Sequence, residues 1–153
     1  MLDVMNALVS TIRDAGTLSY LQWVGIIDSE LAPPPEPQFP FVGIVDGGLI
    51  AESRPSHKDL ETFTVKIVAY QSLLAPEPGE HLTGQVSLPE GQGTGLLQIT
   101  EDLKTLLHDN FLGIGNIHWA HRDRVVPSEL LLDEPAARFV MMQQSIYTYR
   151  RIV

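Results

Sequence analysis

The sequence predicts an α+β domain: an antiparallel sheet of about four to five strands, packed by two helices and interrupted by a long loop or arm. Three observations predict it. Leu2–Asp14 and the stretch from about Leu96 to Asn110 repeat apolar residues at helical spacing. Thr62–Tyr70 alternates polar and apolar residues like a half-buried strand. Clusters of Pro and Gly separate these segments and stop either pattern from continuing. A length of 153 residues suits one domain spanning 1–153.

Taken in order, Leu2, Met5, Leu8, Val9 and Ile12 form one helical stripe, and Gly16 sits where a left-handed residue would end the helix. Thr17 to Ile27 is rich in β-formers but short and without clear period. Ala32-Pro33-Pro34-Pro35-Glu36-Pro37-Gln38 lacks the N–H groups that helix or central strand needs. Residues 32–40 therefore read as a stiff, extended spacer. Phe39–Val45 reads as a strand, and Asp46-Gly47-Gly48 before Leu49-Ile50-Ala51 as a hairpin turn. In Thr62–Tyr70, Phe63, Val65, Ile67 and Ala69 share one face and Thr62, Thr64 and Lys66 the other, so one side of the sheet is packed and the other partly wet.

Residues 73–95 hold many Gly and Pro residues, yet also Leu73, Leu74, Leu82, Val86 and Leu88. Two readings stay open: a flexible surface loop with incidental leucines, or an arm that folds against a neighbouring subunit. The second helix carries its stripe on Leu96, Ile99, Leu103, Leu106 and Leu107. Ile117 to Val126 reads as a strand with charged outward positions. Pro127 and Pro135 bracket a linker, and Arg138–Ile152 is a closing strand, although Met141-Met142-Gln143-Gln144 also suits a helix.

Composition removes several classes of function. With 19 Asp+Glu against 10 Lys+Arg the net charge is −9, so capture of nucleic acid phosphate is a poor default. The absence of Cys excludes disulfides, thiolate nucleophiles and zinc–thiolate fingers. No apolar run approaches the ~20 residues that span a bilayer. Met1–Asn6 lacks a basic export region, and a cytoplasmic location is expected.

Catalytic motifs are also missing. There is no Gly-x-Ser-x-Gly elbow, no Gly-rich loop ending in Lys-Ser or Lys-Thr, and no His-Glu-x-x-His. Gly91-Gln92-Gly93-Thr94-Gly95 imitates a dinucleotide loop, but no buried strand leads into it. His118 and His121 have the i, i+3 spacing that chelates a metal on a helix, yet on a strand they point to opposite faces. Arg122 and Arg124 beside them would also repel a cation. Arg122, Asp123 and Arg124 read instead as a surface ion-pair cluster at a subunit interface. No enzyme, cofactor or metal is expected.

The whole pattern resembles the tail-terminator (tail-completion) proteins of long-tailed bacteriophages. The matching parts are the opening helix through Ala15-Gly16, the strand Phe39–Val45, the strand Thr62–Tyr70, the helix Ile99–Leu107 with its Asn110-Phe111-Leu112-Gly113 ending, and the closing Ser145–Arg150. The resemblance implies a structural virion protein of the neck, assembled in the host cytoplasm as a homo-oligomeric ring, commonly a hexamer. It implies contacts with the tail-tube protein and the head connector or head-closure protein, with double-stranded DNA only as cargo passing through the lumen. The net charge of −9 adds the expectation that acidic side chains line that lumen. Leu73, Leu74, Leu82, Val86, Leu88, Arg122, Asp123 and Arg124 are then the expected subunit-interface residues. The alternatives are a head-closure or connector component of the same neck, a subunit of a related contractile injection machine, or a small metal- or ligand-binding domain using His118, His121 and Asp123.

Overall fold

The computed structural model describes residues 1–56, 58–72, 79–84 and 92–153. Among them the chain forms helix α1 (Leu2–Asp14), a 3-10 turn (Gly16–Leu18), strands β1 (Val24–Ile26), β2 (Phe41–Ser53) and β3 (Asp59–Ser72), and helices α2 (Glu80–Thr83) and α3 (Leu96–Leu107). Strands β4 (Ile117–Val125), β5 (Glu129–Asp133) and β6 (Arg138–Ile152) complete it. The fold is α+β, with a sheet of six strands, more than the four to five expected. The strand order is β1-β2-β3-β6-β4, and β5 also pairs with β6. Only β1 and β2 run parallel.

The alternation along β3 sets up two unequal faces. Phe63, Val65, Ile67 and Ala69 join Tyr147 and Tyr149 of β6 beneath the stripes of α1 (Val4, Leu8, Ile12) and α3 (Leu96, Ile99, Leu103, Leu107). This is the main core, and all of these side chains are buried. The opposite face differs along its length. Its inner half is covered, because Phe41, Val45, Val68, Tyr70, Val140 and Met142 form a second cluster against Trp23, Ile27, Phe39 and Leu131. Its outer half, with Thr62, Thr64 and Lys66, is only partly buried. The expected wet face is thus wet over half its length.

Phe39 at the end of the proline-rich spacer shares in that cover with Trp23 and Ile27 beside β1 and Leu131 of β5, and one arginine holds the spacer down. Arg138 donates from Nε to Asp133 at 3.0 Å, from Nη1 to the Pro37 carbonyl at 3.0 Å and from Nη2 to the Pro34 carbonyl at 3.0 Å. Its guanidinium also lies over the Phe39 ring, 4.5 Å from the centroid. Prolines offer carbonyls but no N–H groups, so a fork of donors is the natural complement.

Several expectations need correction. Asp46-Gly47-Gly48 does not turn the chain. β2 continues through it with a bulge between Asp46 and Leu49, and the reversal comes after Ser53. A Cβ on Gly47 would meet the Thr64 carbonyl oxygen at 2.7 Å, and Gly48 has φ +99°, so both glycines serve the bulge. Gly16 does not adopt the left-handed conformation; α1 ends in an extended Ala15 and Gly16 opens the 3-10 turn. The Pro127–Pro135 linker contains β5. Met141–Gln144 is strand, and its unclear period has a cause: Met141 packs into the main core and Met142 into the second cluster, so this stretch is buried on both faces.

Candidate functional site

The expected interface residues fare differently. Leu73, Leu74, Val86 and Leu88 lie outside the described residues. Leu82, on α2, packs against the main core of its own chain. Arg122 is half-buried, donates to the Thr100 carbonyl at 3.3 Å and pairs with Glu101 at 3.5 Å. Asp123 occupies a bulge between Arg122 and Arg124 and accepts a hydrogen bond from Thr148. Arg124 is exposed and has no ion pair among the described residues. Arg122 and Asp123 therefore find partners on α3 and β6, where an ion-pair cluster among the three neighbours was expected.

His118 and His121 do not come together, but a different histidine joins His121. His108 and Asp109 follow α3, where Asp109 takes φ +60° and turns the chain toward β4. His121 Nε2 lies 2.9 Å from Asp109 Oδ1, and His108 Nε2 lies 3.8 Å from Asp109 Oδ2. Trp119 stacks on His121 with centroids 3.8 Å apart, and Arg150 lies over the other ring system of this row, 5.0 Å from the Trp119 centroid. Sequence reasoning missed His108 and Asp109 because their relation to β4 is long-range. The one local signal was an acidic residue placed where a helix must end.

The chemistry of this corner follows from its hydrogen bonds. His108 Nδ1 accepts the amide hydrogen of Arg122 at 3.2 Å, so the proton of the neutral ring sits on Nε2, facing Asp109. Ligand atoms of His108, Asp109 and His121 lie within 4.8 Å of one another, a spacing that a transition metal could bridge. Binding one through His108 Nε2 would displace that proton and turn Nδ1 into a donor facing another donor. The corner as folded sets the Asp109 carboxylate close to the His121 imidazole, at 2.9 Å, with His108 Nε2 further off at 3.8 Å. No Ser or Thr hydroxyl is hydrogen-bonded to either histidine among the described residues, so the corner holds no nucleophile–base pair.

What the corner does accomplish is structural. Besides the Arg122 amide, the Ala120 carbonyl accepts the Asp109 amide at 2.8 Å. Ala120 and Arg122 are alternate residues of the last strand on this flank, and their groups are met as a further strand would meet them. The corner thereby closes part of the β4 edge. The other flank contrasts with it. Among the described residues, β1 pairs with β2 at Val42, Gly43 and Ile44, and from Asp46 to Ser53 β2 has a strand neighbour on one side only. Leu49 and Ile50 there are 44% and 68% exposed. A second apolar area lies diagonally across the sheet, where Leu130 of β5 and Phe139 of β6 are 57% and 54% exposed.

No protein-family model matches this chain, and no curated protein matches it.

Proposed function

We propose that this chain is a structural subunit of a bacteriophage neck: a tail terminator that assembles with copies of itself into a ring. The ring caps the tail tube, stops its polymerisation and joins it to the head connector. The observation that carries this reading is the outer half of β2, which from Asp46 to Ser53 pairs with β3 but has no strand on its other side among the described residues, and which sets apolar Leu49 and Ile50 on opposite sides of the strand. Natural sheets blunt their edges unless a partner uses them.

A head-to-tail ring needs two unlike patches on each subunit, so that each copy gives one and receives the other. The outer half of β2 and the Leu130–Phe139 area meet that need, since they sit on opposite flanks and at opposite ends of the sheet. The formal charge of −9 favours passage of DNA through such a ring over its retention. The site chemistry agrees, because the histidine corner spends its polar groups on closing an edge. A head-closure or connector subunit of the same neck would draw on the same surfaces.

The test is electron microscopy of the purified chain mixed with tail tubes, together with light scattering across a concentration series. Rings, and density at one end of the tubes only, support the terminator. A strict monomer that ignores tubes and connectors overturns it. One further reading, a metal-binding domain, rests on the His108–Asp109–His121 spacing against the tautomer that the Arg122 amide imposes on His108, and equilibrium dialysis against Zn²⁺ tests it directly.

A further inference from the structure

The strand at the centre of the sheet carries a row of polar atoms where an apolar row would be expected. Gln143, Ser145, Tyr147 and Tyr149 occupy alternate positions of β6 and share the face that meets α1 and α3. The last three are fully buried and Gln143 nearly so. Gln143 Oε1, Ser145 Oγ, Tyr147 Oη and Tyr149 Oη find no hydrogen-bond partner among the described residues. Buried polar atoms are almost always paired, with protein or with ordered water. Four consecutive exceptions on one face of one strand ask for a common partner.

We propose that this row holds a short file of internal waters between the sheet and the helix layer. Neighbours on one face of a strand stand roughly 6.7 Å apart. That is too far for a direct hydroxyl bond of about 2.8 Å; one bridging water spans about 5.6 Å, so a gap this wide takes one water with some lean of the side chains, or two waters. Two of the cross-strand neighbours are small: Ala69 lies beside Gln143 and Ala120 beside Tyr149. The row also has an outlet. Tyr147 is paired across the strands with Arg122, which reaches Thr100 and Glu101 at the rim of α3. Burial pushes both tyrosine hydroxyls well above their ordinary range, so each stays neutral and can both donate and accept. Proteins hold roughly one buried water per 27 residues, so two or three here are within the norm.

The direct test is a high-resolution crystal structure of the full chain, supported by thermal unfolding of Tyr147→Phe and Tyr149→Phe. The proposal expects ordered water within hydrogen-bond distance of both hydroxyls. It also expects each Phe variant to unfold about 2–4 °C lower, because a bridging water loses a partner. A dry row in the density overturns it. So does a raised unfolding midpoint in both variants, which is what removal of an unpaired buried hydroxyl would give.

Discussion

The two flanks of this sheet end in opposite ways. On the β4 flank, the chain leaving α3 folds back so that the Asp109 amide and the His108 ring meet the Ala120 carbonyl and the Arg122 amide. On the β2 flank, β1 stops after pairing with Ile44, and the strand runs on to Ser53 with no strand on its outer side among the described residues. The closed flank engages polar groups in edge protection, while the open flank has no strand beside it among the described residues, an Asp46 carboxylate accepting from the Gly48 amide, and two large exposed aliphatic side chains. Both edges belong to one sheet, so the difference is not a property of the fold class. On the proposed reading, the open half is the side left for a partner.

Substitutions can break or sharpen this contrast. The largest effect is expected at the covered end of the sheet. Arg138→Ala removes three hydrogen bonds and leaves Asp133 buried without its partner. A loss of about 3–5 kcal/mol in unfolding free energy is expected, measured by urea denaturation. A loss below about 1 kcal/mol would mean the spacer is not held as described. Gly47→Ala comes next. Its new Cβ would press on the Thr64 carbonyl oxygen, at a cost of about 1–3 kcal/mol in the same assay, with the damage confined to the bulge of the open half.

Ile50→Lys should separate assembly from folding. The side chain is exposed, so stability should stay within about 0.5 kcal/mol. Self-association should weaken at least about tenfold, or ~1.4 kcal/mol, by analytical ultracentrifugation. Unchanged association would remove the open half from the interface. The smallest effect is expected at the closed flank. His108→Ala deletes the acceptor for the Arg122 amide and should cost about 1 kcal/mol, while His108→Gln, which restores an acceptor, should recover part of it.

Periodicity made the main core legible. The stripes of α1 and α3 and the alternation Phe63, Val65, Ile67, Ala69 are local patterns, and most of these side chains are buried where their spacing put them. Leu2 is the exception, 68% exposed while Val4 is buried, and Val9 and Leu106 are partly buried. Elements whose meaning depends on distant partners were not legible in this way. Asp46-Gly47-Gly48 has the composition of a turn, and only β3 lying alongside makes it a bulge. β5 is short and sits between prolines, so it has no period of its own to display. For the site, Arg122 and Asp123 were singled out as charged neighbours, yet their contacts run to Glu101 on α3 and Thr148 on β6, which no local pattern encodes. The meeting of His108 and Asp109 with His121 was hidden for the same reason.

Amide hydrogen exchange across a dilution series tests the role of the open edge most directly. If copies meet through β2, amides between Asp46 and Ser53 gain protection as particle mass rises, while those of β4 near Ala120 and Arg122 stay unchanged. Growth of the particle with no added protection on β2, or protection gained on β4 instead, would contradict it.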